Sequence, residues 1–197
     1  MTDARQQRDF EPDVDDGLVR RAKTDRAAFG LLFDRYYPHV SRYSFRRLND
    51  RAMAEEVTAE VFLQVASHLS TFAGETETDF RRWLFRIATN AVVTHLRQTH
   101  RRAELLQSAA RQGRLLRSTD ETPLNTELDP LDWPTLHAAL AELDERDQTI
   151  ITLRFFADCT HEEIAGVVGA SAGAVRTALS RALARLREIL GELGESD

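Results

Sequence analysis

The chain has 197 residues, 42% of them apolar, and a formal net charge of −6. That length allows one domain or two small ones with real cores, and no run approaches the roughly 20 apolar residues of a membrane span. One cysteine, Cys159, excludes an internal disulfide framework, and with six scattered histidines it gives no metal-ligand spacing, so neither a metal site nor a cofactor is expected.

Residues 1–14 are polar, carry alternating charges and lack an apolar signal segment; a disordered N-terminus and a cytoplasmic protein are expected. Residues 15–117 are expected to form the first helical domain, reading as helix after helix from Asp15 to about His100. Asp25 can cap a helix whose apolar face is Phe29, Leu32, Phe33, Tyr36 and Tyr37. A second helix is expected from near Val40 to Leu48, with Asn49-Asp50 as the break. The next runs from about Arg51 to His68, with Ala54, Val57, Val61, Phe62 and Val65 inward and Glu55, Glu56 and Glu60 outward. Ser70 to Thr78, with a glycine and several cap-forming residues, reads as a loop.

A longer helix is expected from about Asp79 past Leu96. Leu84, Ile87, Ala88, Ala91 and His95 follow one face, and Arg86, Asn90, Val93, Arg97 and Arg101 another. Such a helix can lie along a phosphate backbone while Asn90 offers donors and acceptors to a base. Phe72, Phe80, Trp83 and Phe85 lie beside that basic face, as aromatics on which unpaired bases stack. Taken singly, Trp83 or Phe85 reads as a core residue; it is the loop, aromatics and basic stripe together that point to strand binding.

From Arg81 to Arg117 the charges are all arginine except Glu104; from Ser118 to Thr149 they are all acidic except Arg146. Charge segregated in this way assigns different work to different segments despite the negative total. Residues 118–134, rich in Ser, Thr, Asp and Glu with Pro123, Pro130 and Pro134, read as an acidic flexible linker.

Residues 135–190 carry the most informative pattern, with 191–197 as a tail. Thr160 and Glu163 make a capping box, and Gly169 fits a position of positive φ at a helix end. Ser171 caps the following helix, whose Val175, Leu179, Ala182 and Leu186 recur at helical spacing. Its other side presents Arg176, Thr177, Ser180, Arg181 and Arg185. This is the layout of a helix-turn-helix whose second helix could enter the major groove. The fold class is therefore all-α: two small helical domains joined by the linker. No nucleophile elbow, glycine-rich phosphate loop or close histidine–carboxylate pair on a credible catalytic scaffold accompanies it, so a binding protein is expected and not an enzyme.

AFGLLFDRYYPHVSRYSFRRL, AEEVTAEVFLQVASHL and FRRWLFRIATNAVVTHLRQTHRR, followed by LDERDQTIITLRFFADCTHEEIAGVVGASAGAVRTALSRALARLR, resemble regions 2 and 4 of RNA polymerase sigma factors of the extracytoplasmic-function (ECF, group 4) type. The resemblance implies docking on core polymerase, at the clamp coiled coil of the largest subunit and the flap of the second largest. It gives Glu55, Glu56 and Glu60 the core-binding surface, with Ala59 where glutamine is usual. Phe72, Trp83, Arg86, Asn90, Arg97 and Arg101 would read the −10 element. Ser171, Arg176, Thr177, Ser180, Arg181 and Arg185 would meet −35 DNA, with Ala178 replacing a commonly polar or basic residue. Promoter DNA is the implied ligand, and an anti-sigma factor is an open further partner. Two alternatives stand beside this reading: a free-standing helix-turn-helix regulator, and an enzyme acting on nucleic acid. The regulator would bind DNA without core polymerase, and the enzyme lacks acid–base or metal residues.

Overall fold

The computed structural model describes residues 16–111 and 133–194. The N-terminus expected to be disordered and nearly all of the acidic linker lie outside the described residues. Eight α-helices carry the described chain: α1 (Asp16–Ala22), α2 (Arg26–Leu48), α3 (Arg51–His68), α4 (Glu77–Arg111), α5 (Trp133–Ala141), α6 (Glu145–Phe156), α7 (His161–Val168) and α8 (Ala172–Gly194), with a 3₁₀ turn at Leu69–Thr71. Among the described residues there is no strand.

Helix α2 starts where the sequence puts it, the Asp25 carboxylate accepting from the Ala27 amide at 2.8 Å. It does not break before Val40. Pro38 lies inside one continuous helix, on its exposed side. An interior proline costs a helix about 3 kcal/mol. Tyr36, Val40 and Tyr43, on both sides of it, are fully buried, and each such side chain returns about 1.5–3 kcal/mol on burial. Packing outweighs the proline. At the far end Asn49 adopts the left-handed conformation and Asp50 caps α3 through the Met53 amide, 2.9 Å, so the expected break stands.

Helix α4 begins two residues before the expected Asp79. The Thr76 hydroxyl accepts from the Asp79 amide at 3.1 Å and donates to its carboxylate at 2.7 Å, which satisfies the first turn. The helix then runs 35 residues, about 52 Å at 1.5 Å per residue. The expected linker end is also moved: Trp133 and Pro134 belong to the first turn of α5, where a proline lacks no needed donor. Helix α8 extends through Gly194, past the expected start of a tail at residue 191.

The two helical units share one contiguous cluster of buried apolar residues, with α6 against α2 and α7 against α4. At the centre of this junction Arg81 donates from Nε to Glu163 Oε1 at 2.6 Å, with both side chains buried. Its Nη2 reaches the carbonyls of Asp158, 3.1 Å, and Ala157, 3.3 Å. Around it Arg47 donates to Gln148, Trp133 Nε1 to Asn49 at 2.8 Å, and Arg97 pairs with Glu145 at 3.3 Å. The Arg46 guanidinium lies 3.9 Å from the Trp133 ring centroid, a cation–π contact across the same seam.

Candidate nucleic-acid interface

The first face is the helix-turn-helix. The capping box forms as the residues require: Glu163 N–H donates to the Thr160 hydroxyl at 3.2 Å, and Thr160 N–H to the Glu163 carboxylate at 2.7 Å. Gly169 sits at φ +66°, its N–H bonded to the Ala165 carbonyl, and the chain turns there. Glycine is the residue for that conformation because it has no Cβ to clash with the backbone. Ser171 then accepts from the Ala174 amide at 3.2 Å to start α8.

On α8 the division between core and surface follows the sequence pattern. Val175, Leu179, Ala182 and Leu186 are buried, while Arg176, Thr177, Ser180, Arg181 and Arg185 are exposed on the opposite side. The Thr177 hydroxyl donates back to the Gly173 carbonyl at 3.1 Å, so its free capacity toward a ligand is as an acceptor. Ala178 is buried, so it packs the core behind the arginine face. A small residue there lets α8 sit close to its neighbours.

The second face is built on the loop and the first half of α4. Phe80 and Phe85 are fully buried and belong to the core. Phe72 and Trp83 are half-buried and stack on each other, centroids 4.7 Å apart and planes 20° from parallel. The loop folds tightly under this pair. A Cβ at Gly74 would fall 2.3 Å from Phe72 Cζ and 2.6 Å from Asp79 Cβ, so only glycine lets the Phe72 ring lie there. Thr76 hydrogen bonds hold the Asp79 carboxyl below the usual carboxylate range and fix the loop's end. A cavity of about 250 Å³ opens beside the stack, lined by Phe72, Gly74, Asp79, Arg82, Trp83 and Arg86 on this side. Its remaining wall is Gly166 of α7, whose missing side chain gives room to Arg82: a Cβ there would meet Arg82 Cδ at 3.0 Å.

Beyond the cavity, Arg86, Asn90, Arg97 and Arg101 are exposed along one stripe of α4, spanning about 22 Å at helical rise. Arg97 reaches across to Glu145 of α6, so one member of the stripe is engaged by the other unit. An aromatic stack, a cavity and a row of cations thus lie side by side on this face, the chemistry on which unpaired bases can stack and phosphates can be held.

The acidic face of α3 divides. Glu55 and Glu56 are exposed, Glu55 in an i,i+4 pair with Arg51 at 3.0 Å. Glu60 is exposed as well, but stands 3.5 Å from His95 Nε2 of α4 and accepts from Gln64 at 3.1 Å. Ala59 is exposed between them, and Leu63, at i+4 from it, is 68% exposed. Sequence reasoning missed Leu63. A leucine one turn beyond an exposed alanine on an otherwise acidic helix face was the available signal.

It also counted Arg81 among the basic residues, whereas the side chain is buried. The signal was spacing, since Arg81 precedes Leu84 and Ala88 on the same helical face. Cys159 lies beside that ion pair, fully buried, and burial pushes its thiol up to about 12. A thiol held protonated is no nucleophile at neutral pH.

The family model for sigma-70 region 2 matches residues 32–102, and that for sigma-70 region 4 matches residues 135–186. The ECF RNA polymerase sigma factor BldN of Streptomyces coelicolor is 34% identical over 176 residues, covering 88% of this chain and 64% of that protein. The chain thus spans less than two thirds of that relative's length. The ECF RNA polymerase sigma factor SigL of Mycobacterium tuberculosis is 30% identical over 173 residues, covering 88% of this chain and 94% of the relative. The ECF RNA polymerase sigma-E factor of Haemophilus influenzae is 32% identical over 180 residues, with 86% and 91% covered. Among solved structures, that of CnrH in complex with the cytosolic domain of CnrY superposes with a TM-score of 0.66 at 23% identity, covering 90% of this chain and 97% of CnrH. This last likeness is one of fold.

Proposed function

The chain belongs to the ECF RNA polymerase sigma factor family, and from that premise we propose that it joins core RNA polymerase in the cytoplasm and directs promoter-specific initiation without itself catalysing a reaction. The observation that carries this reading is the pairing of two unlike nucleic-acid faces on one chain. Arg176, Thr177, Ser180, Arg181 and Arg185 on α8, started by Ser171, meet duplex DNA at the −35 element. Phe72, Trp83 and Arg86 around the cavity take an unpaired base of the −10 strand, and Asn90, Arg97 and Arg101 follow its backbone. Glu55 and Glu56 on α3, with Leu63 as an apolar anchor, dock on the clamp coiled coil; the helix-turn-helix unit meets the flap. A protein that holds the two units closed is the kind of anti-sigma antagonist this arrangement fits.

Spanning a promoter requires the units to part. Duplex DNA rises 3.4 Å per base pair, so elements centred at −10 and −35 lie about 85 Å apart, well beyond the roughly 52 Å of α4. Polymerase binding supplies the free energy to open the Arg81–Glu163 junction.

The test is selection from a promoter library with the full chain, with and without core polymerase. Sequence-specific enrichment is expected only with core; specific binding by the chain alone would make it a free-standing regulator. Glu56→Arg places like charge against a basic partner surface, which costs several kcal/mol at an interface, and core affinity should fall accordingly. Unchanged affinity would move the docking surface off this face of α3.

A further inference from the structure

The strand-binding loop is held from outside the matched family regions. Helix α1 buries Leu18, Val19 and Ala22 against the body of the first unit, and the chain turns immediately after it with Lys23 N–H bonded to the Arg20 carbonyl at 3.3 Å. Lys23 is the single lysine of a chain that otherwise uses arginine. Its Nζ donates to the Gly74 carbonyl at 2.9 Å, across 51 residues of sequence. The same ammonium stands 5.5 Å from the Phe72 ring centroid.

These contacts converge on the middle of the loop. Phe72 is fixed by the Leu69 carbonyl at 3.2 Å and by the Trp83 stack. Thr76 is fixed by Asp79. Between them Gly74 has no side chain with which to anchor itself, and its carbonyl takes the lysine. A cation on a flexible stem suits this place, because it bonds one carbonyl and faces one ring.

We propose that Lys23 is a positioning residue for strand capture: by tying the Gly74 carbonyl and facing Phe72 it holds the loop and the Phe72–Trp83 stack in the shape that grips an unpaired base. This rests on the reading of the α4 face as the −10 strand site. Helix α1 thereby acquires a role, since it is the rigid mount from which the lysine reaches the loop. Lys23 acts through the loop, so its loss lowers discrimination between strands and leaves duplex binding by α8 untouched.

The experiment uses holoenzyme reconstituted from the full chain and core polymerase, on DNA with an unpaired −10 region. A strand preferred by the wild type is first selected from a randomised pool. Affinity is then compared with that for the same strand carrying substitutions at the captured position. Lys23→Met, which keeps the apolar stem, should reduce the preference about tenfold, in the range that loss of one stacking or polar contact gives. Lys23→Arg, still able to donate, should restore most of it, and the salt dependence should not change. Should Lys23→Met lower the melting temperature, Lys23→Gln carries the same expectation.

Phe72→Ala separates the possible failures. If it abolishes the preference while Lys23→Met and Lys23→Gln keep it, the positioning role is overturned and the strand site stands. If Phe72→Ala also keeps the preference, the loop does not capture a base, and both readings fall. A uniform loss over all strands with a shallower salt slope would make Lys23 a phosphate contact and overturn the proposal.

Discussion

Glu163→Gln should open the chain and leave both units folded. Glu163 serves Arg81 with Oε1 and the Thr160 amide with Oε2. Glutamine has one carbonyl oxygen for those two donors, and its NH₂ would face the other donor. The substitution therefore removes one hydrogen bond and takes the charge of its ion-pair partner from a guanidinium that is 6% exposed. Breaking a buried ion pair from one side costs about 3–5 kcal/mol. The cost falls on the junction, because separating the units returns Arg81 to water and relieves most of it. The destabilisation is thus capped at the free energy of closure. Small-angle scattering should give the wild type a radius of gyration of about 16 Å, the value for a globular chain of this length, and Glu163→Gln a clearly larger one. Cys159 offers a second readout: it is fully buried beside Arg81, so a thiol reagent should label the variant faster. The double substitution Arg81→Met with Glu163→Met replaces the pair by apolar side chains of similar reach and should close the chain again. Wild-type scattering and labelling in Glu163→Gln would refute the reasoning, and so would a lower melting temperature without any change in radius.

Gly74→Ala should displace the Phe72 ring, since its Cβ would fall 2.3 Å from Phe72 Cζ; binding to unpaired −10 DNA should fall at least tenfold, as for a lost stacking contact, with duplex −35 binding unchanged in a parallel titration. Arg176→Ala should relax preference at one −35 position by about 1–3 kcal/mol if the guanidinium reads a base edge, whereas Arg185→Ala should weaken binding evenly with a shallower salt slope; selection from randomised −35 elements compares them. Asp79 has a folded pKa depressed mainly by the Thr76 hydroxyl, so its stabilising contribution is complete above the ordinary carboxylate range and is lost as pH falls through the depressed value. Asp79→Asn should flatten that part of the acid melting profile, and an unchanged profile would assign the acid sensitivity to other carboxylates.

The amino-acid pattern by itself determined the helices, most of their ends and the two faces. Thr160, Glu163, Gly169 and Ser171 act through bonds to backbone groups within a few residues, so their roles are written locally. The arginine face of α8 and the stripe from Arg86 to Arg101 on α4 were legible for a related reason: helical periodicity alone sorts side chains into two sides. What lay beyond the sequence is whatever depends on a distant segment. Pro38 ends no helix because Tyr36, Val40 and Tyr43 are buried around it. Arg81 belongs to no DNA face because Glu163, 82 residues away, neutralises it in the core. Glu60 stands 3.5 Å from His95 of α4, Ala178 packs into the core behind the arginines of α8, and Lys23 finds Gly74 across 51 residues. A charge on a helix is the same letter whether it meets water, DNA or a buried counter-charge, and only the packing of one helix on another decides which.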